Sequence, residues 1–586
     1  MWNLFKNFDK KDIFYILMAF IGICSQVWLE LKMPDYMSTI TRLVQTEGSS
    51  MADILENGAY MMLCALGSLL GAVIVGYFTS HIAATLSMRI RKLVFDKVTN
   101  FSIHEVKMFS TSSLITRTTN DITQIQMFVG MGMQMIIKAP ITAIWAVSKI
   151  LNKGFEWSIL TGGMIVLLGI VITMLITMVM PKFKIIQRLT DRLNGISREN
   201  LNGIRVIRAF NAEDYQENKF KEVNQELTDI HLFTQRAMAT LSPVMYLVMY
   251  FLTLGIYFIG AYLIKDALMV DKLPIFSNMV VFSSYAMQVI MSFLMLAAIF
   301  MILPRAQVSA NRINEVLQAP ITIQDGEYAE EGLETGTIEF KNVSFKYPDG
   351  ENELLKNISF RVNKGTTLAI IGATGSGKTS LINLIPRFYD TSQGSVFVDG
   401  VDVKEYSQES LRNKIGYVSQ KAFMFDDTVS NNVSYGDHGK GNISVEKIKD
   451  AIRVAQGSEF VEAMEQGYDS HVAQGGTNIS GGQKQRISIA RAIARNPEIY
   501  IFDDSFSALD YKTDVTLRKE LKKYTKDATC VIVAQRIGTI LNADQILVLE
   551  DGECVGLGNH KELMKTCEVY KEIAYSQLSK EELENA

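Results

Sequence analysis

Cysteine is scarce in this chain: Cys24, Cys64, Cys530, Cys554 and Cys567 are the only five among 586 residues. Odd in number and widely scattered, they exclude a disulfide framework and a cysteine metal site and read as free thiols. An excess of basic charge is also lacking. The 58 Lys and Arg against 62 Asp and Glu leave a formal charge of -4, without the basic surface that a nucleic-acid partner demands. The first apolar run, 13–33, lacks a small-residue cleavage site after it and is too long for a cleavable signal. Long apolar runs are themselves missing beyond about residue 303, and that absence divides the chain in two.

What is present fits the division. The length exceeds what one core supports, and 48% of residues are hydrophobic. Six apolar stretches, at 13–33, 59–80, 131–151, 157–180, 241–264 and 276–303, each reach the ~20 residues that a bilayer-spanning helix needs. Methionine follows them, with 26 of 29 at or before Met301, either as an adaptable apolar binding surface or as ordinary helix packing. Ahead of the first span, residues 2–11 mix aromatics with Lys6, Lys10 and Lys11, as an interfacial segment does.

Basic residues orient the spans. Arg89, Arg91, Lys92, Lys97, Lys107 and Arg117 separate spans two and three, and Lys182, Lys184, Arg188, Arg192, Arg198, Arg205 and Arg208 separate spans four and five. The segment after span one has Arg42 against Asp35, Glu47, Asp53 and Glu56. The basic segments belong in the cytoplasm, which places both termini there. Their helical patterning predicts that the membrane helices extend well into the cytosol. Lys138 is the conspicuous charge within a span. It reads first as a side chain reaching the inner interface or a wet cavity, and second as a contact for substrate or lipid phosphate.

From these runs we expect a transmembrane domain over 1–320, a charged linker over 321–336 and an α/β domain over 337–586. Residues 337–347 alternate like a strand, and 366–371 form an apolar strand entering Gly372-Ala373-Thr374-Gly375-Ser376-Gly377-Lys378-Thr379, with Ser380 next. This is a complete P-loop in its strand–loop–helix context. Its glycines let backbone N–H groups converge on phosphate, and the helix N-terminus adds its positive end. Lys378 is expected to reach the β- and γ-phosphates of ATP, and Thr379 to ligate Mg²⁺. A second apolar strand, 499–502, ends in Asp503 and Asp504. Asp503 there suits a water-mediated hold on Mg²⁺, and the next carboxylate suits orientation of the attacking water.

Between these elements stands Ile479-Ser480-Gly481-Gly482-Gln483 followed by Lys484-Gln485-Arg486. This run resembles the signature motif of ABC transporters, with Ile where Leu is usual. Tyr347 resembles the family's adenine-stacking aromatic, Gln420 its Q-loop glutamine with a share in Mg²⁺ binding, Ser507-Ala508-Leu509-Asp510 its D-loop, and Val531 to Arg536 its switch segment. Arg117, Asn120 and Asp121, with Gly203 to Phe210, resemble the exporter intracellular loops. The resemblance covers nearly the whole chain. It implies an all-α six-helix transmembrane domain followed by an α/β P-loop nucleotide-binding domain, the ABC exporter architecture. It further implies that Ser480 and its neighbouring glycines cap a γ-phosphate held by a partner's P-loop. Coupling helices are then expected near 103–109 and 212–216, the second docking on the partner. The bacterial plasma membrane is the expected location, and nothing ahead of the first span suggests processing of leader peptides.

Two positions depart from the family pattern. Asp504 stands where Glu is usual after the Walker B aspartate, and Gln535 where the switch has His. Gln474-Gly475-Gly476 also replaces the common Glu-Arg-Gly. Asp is one methylene shorter than Glu, and phosphoryl transfer depends on positioning. The resemblance then points to the degenerate subunit of a heterodimeric multidrug exporter, whose partner supplies Glu and His. The expected cargo is a hydrophobic or amphipathic small molecule. A slow homodimeric lipid or peptide exporter and a nucleotide-gated channel or sensor are the alternatives. A small-molecule kinase shares the P-loop but has no use for the signature.

Overall fold

The computed structural model describes residues 6, 8–46, 48–151, 154–328, 334–437 and 443–578. Of the expected interfacial segment 2–11 only residues 6 and 8–11 are described, and of the expected linker only 321–328 and 334–336. The remainder of both lies outside the described residues. The chain separates into two compact units. One comprises Met1–Thr99 and Ser110–Ala319, the other Asn100–Phe109 and Pro320–Ala586.

The first unit is helical. Its long helices are α1 (Lys10–Gln45), α2 (Met51–Thr99), α4 (Thr111–Leu151), α5 (Phe155–Asn202), α7 (Glu213–Asp266) and α8 (Met269–Gln318), with the short α6 (Ile204–Ala209) between α5 and α7. Each long helix carries a stretch apolar enough to cross a membrane. The 48 residues of α5 make a rod of about 70 Å at 1.5 Å per residue. That is more than twice the ~30 Å hydrocarbon core, so such a helix continues into water beyond its span.

Leu70, Val166, Ile170, Leu254 and Phe258 are well exposed on these rods, and a row of exposed apolar side chains on a span suits lipid. Inside, Trp157 packs on Phe282 and donates from Nε1 to the Ile256 carbonyl at 3.2 Å, closing α5, α7 and α8 around a shared core. Close approach of α1 and α2 depends on Gly67, where an added Cβ would stand 2.9 Å from Leu29 Cδ1; small residues allow such contacts between membrane helices.

Two details were not legible in the residues. α4 is not uniform: Arg117–Asp121 and Phe128–Gly132 are π-turns, where the wider i→i+5 ladder shifts side-chain direction. The second coupling segment was expected near 212–216. Those positions fall at the N-cap and first turn of α7, where Glu213 and Asp214 complement the helix dipole. The separate short helix is α6, which starts at Ile204 after Gly203.

In the second unit, strands β1 (Ile338–Phe345), β2 (Leu355–Val362), β4 (Gln393–Val398) and β5 (Val401–Asp402) form an antiparallel sheet in the order β2-β1-β4-β5. A six-stranded sheet has the order β12-β11-β3-β10-β9-β6, with β3 (Thr367–Gly372), β6 (Ile415–Val418), β9 (Ile499–Asp503), β10 (Thr529–Val533), β11 (Gln545–Glu550) and β12 (Glu553–Gly558). All neighbours are parallel except β11 and β12. A short antiparallel pair, β7 (Asp427–Thr428) with β8 (His471–Val472), stands as a separate two-stranded sheet. The two sheets bury Phe340, Phe345, Leu368, Ile370, Ile501 and Val531 in one core. The segment Asn100–Phe109, which contains α3 (Ile103–Phe109), packs with this unit through Glu105. That carboxylate accepts from the Ser102 N–H at 2.6 Å and the Thr322 hydroxyl at 2.6 Å. The five cysteines are all free.

Candidate functional site

Strand order builds the site. β10 lies between β3 and β9, and Val533 pairs with both Ile370 and Asp503. The three parallel strands therefore release their next residues at one edge, outside the carboxyl ends where α/β sheets bind ligands. β3 ends at Gly372 and is followed by Ala373 to Lys378, and after β9 comes Asp504. Gln535 stands two residues past the end of β10.

The loop after β3 needs its glycines. Gly375 has φ +89° and Gly377 φ +100°, and a Cβ at Gly377 would meet Leu355 Cδ2 at 2.7 Å. Gly377 caps the helix Lys378–Asn383, which presents its N-terminus to the cleft. Lys378 Nζ donates to the Gly372 and Ala373 carbonyls at 2.8 and 2.7 Å. Burial lowers the Lys378 pKa, opposed by the charges of Asp504 and Asp503. Thr379 Oγ1 donates to Asp503 Oδ1 at 3.0 Å. Burial raises the Asp503 carboxyl, and Asp504 beside it adds to the rise against Thr379 and Lys378.

Asp504 is held from three sides. Its backbone, at φ +45°, donates to the Val533 carbonyl at 3.0 Å and accepts from Ser507 Oγ at 2.9 Å. Its Oδ2 accepts from Gln535 Nε2 at 2.9 Å and from Gln420 Nε2 at 3.3 Å. Burial raises its pKa, and the Gln420 hydrogen bond opposes the rise.

One cavity of ≈ 290 Å³ gathers Thr374, Gly375, Gly377, Lys378, Thr379, Ser380, Gln420, Asp503, Asp504 and Gln535. Gly372, Ala373 and Ser376 complete the loop behind it. Among the described residues Ser376 Oγ is buried without a hydrogen-bond partner, and space is open around Gly375. An orphaned hydroxyl in a glycine-containing loop that leads into a helix N-terminus fits a phosphate chain. The hydroxyl and carboxylate oxygens of Thr379 and Asp503, with the Gln420 side chain nearby, fit the all-oxygen preference of Mg²⁺.

Tyr347 joins from the other side, its hydroxyl 2.8 Å from Ser380 Oγ and its ring edge-on to Tyr389 at 5.2 Å between centroids. Lys107 of α3, which the residues did not single out, places Nζ 5.7 Å from the Tyr347 ring and 3.4 Å from the Tyr389 hydroxyl. No motif could have found it, because its partners are remote in sequence.

The signature residues lie apart from this cavity. Ser480 caps the helix Gly481–Arg495 through a capping box, accepting from the Gln483 N–H at 3.3 Å while Gln483 Oε1 accepts from the Ser480 N–H at 2.8 Å. Ser480 and Gly481 are exposed, and a Cβ on Gly481 would meet nothing within 4 Å. Gly482 would approach the Ala508 carbonyl. Asp510 is also outside the cavity and caps the helix Tyr511–Tyr524, accepting from the Thr513 N–H at 3.0 Å. Before the signature, Gly475 and Gly476 both have φ +66°, a conformation glycine adopts without strain.

Comparison with known proteins agrees with this construction. Residues 13–293 match the family model of the ABC transporter transmembrane region, and residues 355–507 match that of the ABC transporter. An uncharacterized ABC transporter ATP-binding protein of Mycobacterium bovis is 35% identical over 92% of this chain and 93% of its own length. A Bacillus subtilis protein provisionally named as a multidrug export ATP-binding/permease protein is 31% identical over 85% of this chain and 84% of its own. The ATP-dependent lipid A-core flippase of Pseudomonas aeruginosa is 29% identical over 86% and 82%. The fold matches that of a bacterial Atm1-family ABC exporter with ATP bound, at a TM-score of 0.79 and 22% identity, over 97% of this chain and 99% of that one. The chain belongs to the ABC transporters and is one half of an ATP-driven membrane exporter, with six spans fused to an ATP-binding cassette.

Proposed function

We propose that this chain is the weak-site subunit of a heterodimeric exporter of amphipathic compounds, with both termini cytoplasmic in a bacterial plasma membrane. Residues 1–320 carry the spans, 321–336 the linker and 337–586 the cassette. Gly372 to Ser380 hold the ATP phosphates, Tyr347 stacks on the base, and Thr379, Asp503 and Gln420 hold Mg²⁺. Asp504 and Gln535 occupy the catalytic positions. Ser480, Gly481, Gly482 and Gln483, with Asp510, face the partner's ATP.

The carrying observation is the engagement of Asp504. Its Oδ2 is shared by the Gln535 and Gln420 amides at 2.9 and 3.3 Å, on a side chain already one methylene short of Glu. A misplacement of about 1 Å can cost about 100-fold in rate. Gln535 brings an amide in place of a titratable imidazole. The exposed, capped signature helix carries none of these changes and remains fit to complete a site on a partner with Glu and His. ATP at the weak site then holds the cassettes together while turnover proceeds at the other. The names of the Bacillus subtilis and other relatives support export, and the multidrug name supports an amphipathic cargo.

A homodimeric lipid exporter is the second reading, favoured by the name of the Pseudomonas aeruginosa relative. Purification of this chain alone, with its oligomeric state determined, separates the two: the proposal expects Mg-ATP binding with very slow hydrolysis. Robust ATPase activity from a homodimer overturns it. ATP-dependent substrate flux into vesicles distinguishes a pump from a channel or sensor.

A further inference from the structure

The nucleotide site leaves unexplained a charged network inside the membrane helices. Lys138 of α4 is paired with Glu30 of α1 at 2.9 Å. The same Glu30 Oε1 accepts from Gln26 Nε2 at 2.9 Å and Ser68 Oγ at 3.2 Å. A charge in a span is expensive and is kept for use or neutralised by a partner. Glu30 supplies the neutralisation, yet the arrangement is directional. Lys138 lines a cleft of ≈ 700 Å³, whereas Glu30 is not on its wall. Among the described residues lining the cleft, Lys138 alone carries a charge, and Gln26, Gln126 and Gln134 are polar but neutral. Met127, Met131, Met135 and Met295 supply much of the rest, and methionine adapts to irregular apolar shapes. The ammonium donates to Glu30 Oε1, and of the two partners it is Lys138 that belongs to the cleft wall.

We propose that this cleft binds an amphipathic anion, its carboxylate, phosphate or sulfate head on Lys138 and its apolar body among the methionines. Glu30 fixes the ammonium in place and also weakens its attraction for the head. The proposal rests on the exporter reading for the ligand's passage but not for its binding.

The full chain in phosphatidylcholine nanodiscs is titrated with three fluorescent amphiphiles of one C11 chain, ending in carboxylate, alcohol or trimethylammonium. The carboxylate probe should bind tightest. Lys138→Gln should weaken it about ten-fold, as loss of a hydrogen bond to a charged group does, and Lys138→Arg should restore most of that loss. Glu30→Gln should tighten binding, since it removes the competing charge. A merely structural ion pair would make both neutral variants act in the same direction. Equal affinity for the three heads, tighter binding of the cation, or an unchanged affinity in Lys138→Gln overturns the proposal. So does weakening by Glu30→Gln in a variant whose Mg-ATP binding is intact. Adding phosphatidylglycerol to the discs identifies the source while the class stands: displacement of the probe points to a bilayer lipid, and its retention to a soluble amphiphile. Loss of Mg-ATP binding by the parent chain would instead count against the exporter reading alone.

Discussion

The cassette has two ends that bear differently on ATP. At the carboxyl ends of β3, β9 and β10, a complete phosphate loop stands beside a carboxylate engaged by two amides, Gln420 and Gln535. At the N-terminus of Gly481–Arg495, the signature is capped, exposed and free of contacts at Gly481. On the weak-site reading proposed above, one end binds nucleotide but hydrolyses it slowly. On the same reading, the other end completes a neighbour's site. The two ends of one domain can therefore be under separate demands, which follows when each composite site takes its halves from different chains.

The largest effect should come from the signature end. Gly481→Asp should lower ATP turnover of the co-expressed complex by 100-fold or more, because it sets an anion against the partner's γ-phosphate where removing a single favourable donor already costs about 100-fold. Among the described residues outside its own helix backbone and chain neighbours, nothing stands within 4 Å of the new Cβ, so folding should be preserved, as a thermal melt will check. Ser480→Arg should act similarly, with about 1 kcal/mol of added instability from the lost cap. Unimpaired turnover in both would break the comparison.

Next, Lys378→Ala should weaken Mg-ATP binding at this chain's own site by ten-fold or more, since charge-assisted contacts are worth about 1.5–3 kcal/mol. A site-resolved nucleotide occupancy measurement tests it.

A smaller effect concerns pH. Burial raises the Asp503 carboxyl, and a protonated carboxyl cannot ligate Mg²⁺. The Mg²⁺ dependence of nucleotide binding should therefore fade on acidification before pH reaches the ordinary aspartate value near ~3.9. The sign is opposite to that of an ion-paired aspartate, whose lowered value would preserve binding to more acid pH. A titration that shows loss only below the ordinary value would contradict the role of Asp503.

The smallest effect is expected for Asp504→Asn, about two-fold in transport by the complex. Its oxygen sits in a site already lacking Glu and His, and positioning by the P-loop is untouched. Damage equal to that of Gly481→Asp would make Asp504 a working catalytic residue.

Much of the cassette was legible because its chemistry is written in contiguous strings. Gly372 to Thr379 form one turn with its own helix, and Ser480 to Gln483 form one cap. The six spans were legible as runs of apolar residues, since length alone suffices to cross a bilayer. Relations across the fold were not. Gln420 is 84 residues from Asp504 and Gln535 is 31 away, and it is the β6–β9 and β9–β10 registers that bring the three together. Glu30 lies 108 residues before Lys138, so the span charge could be noticed without its partner. Lys107 reaches Tyr389 across 282 residues because α3 packs with the second unit. The π-turns of α4 left no mark in composition, for the α and π ladders accept the same residues.

The central claim is that Asp504 and Gln535 are what slows this chain's own ATP site. It is tested most directly by measuring steady-state ATPase of the purified homodimeric chain beside the double variant Asp504→Glu, Gln535→His at saturating Mg-ATP. The account predicts very slow hydrolysis by the parent and a rise of about 100-fold in the variant, the scale of a 1 Å repositioning. Fast hydrolysis by the parent, with no gain in the variant, would contradict it.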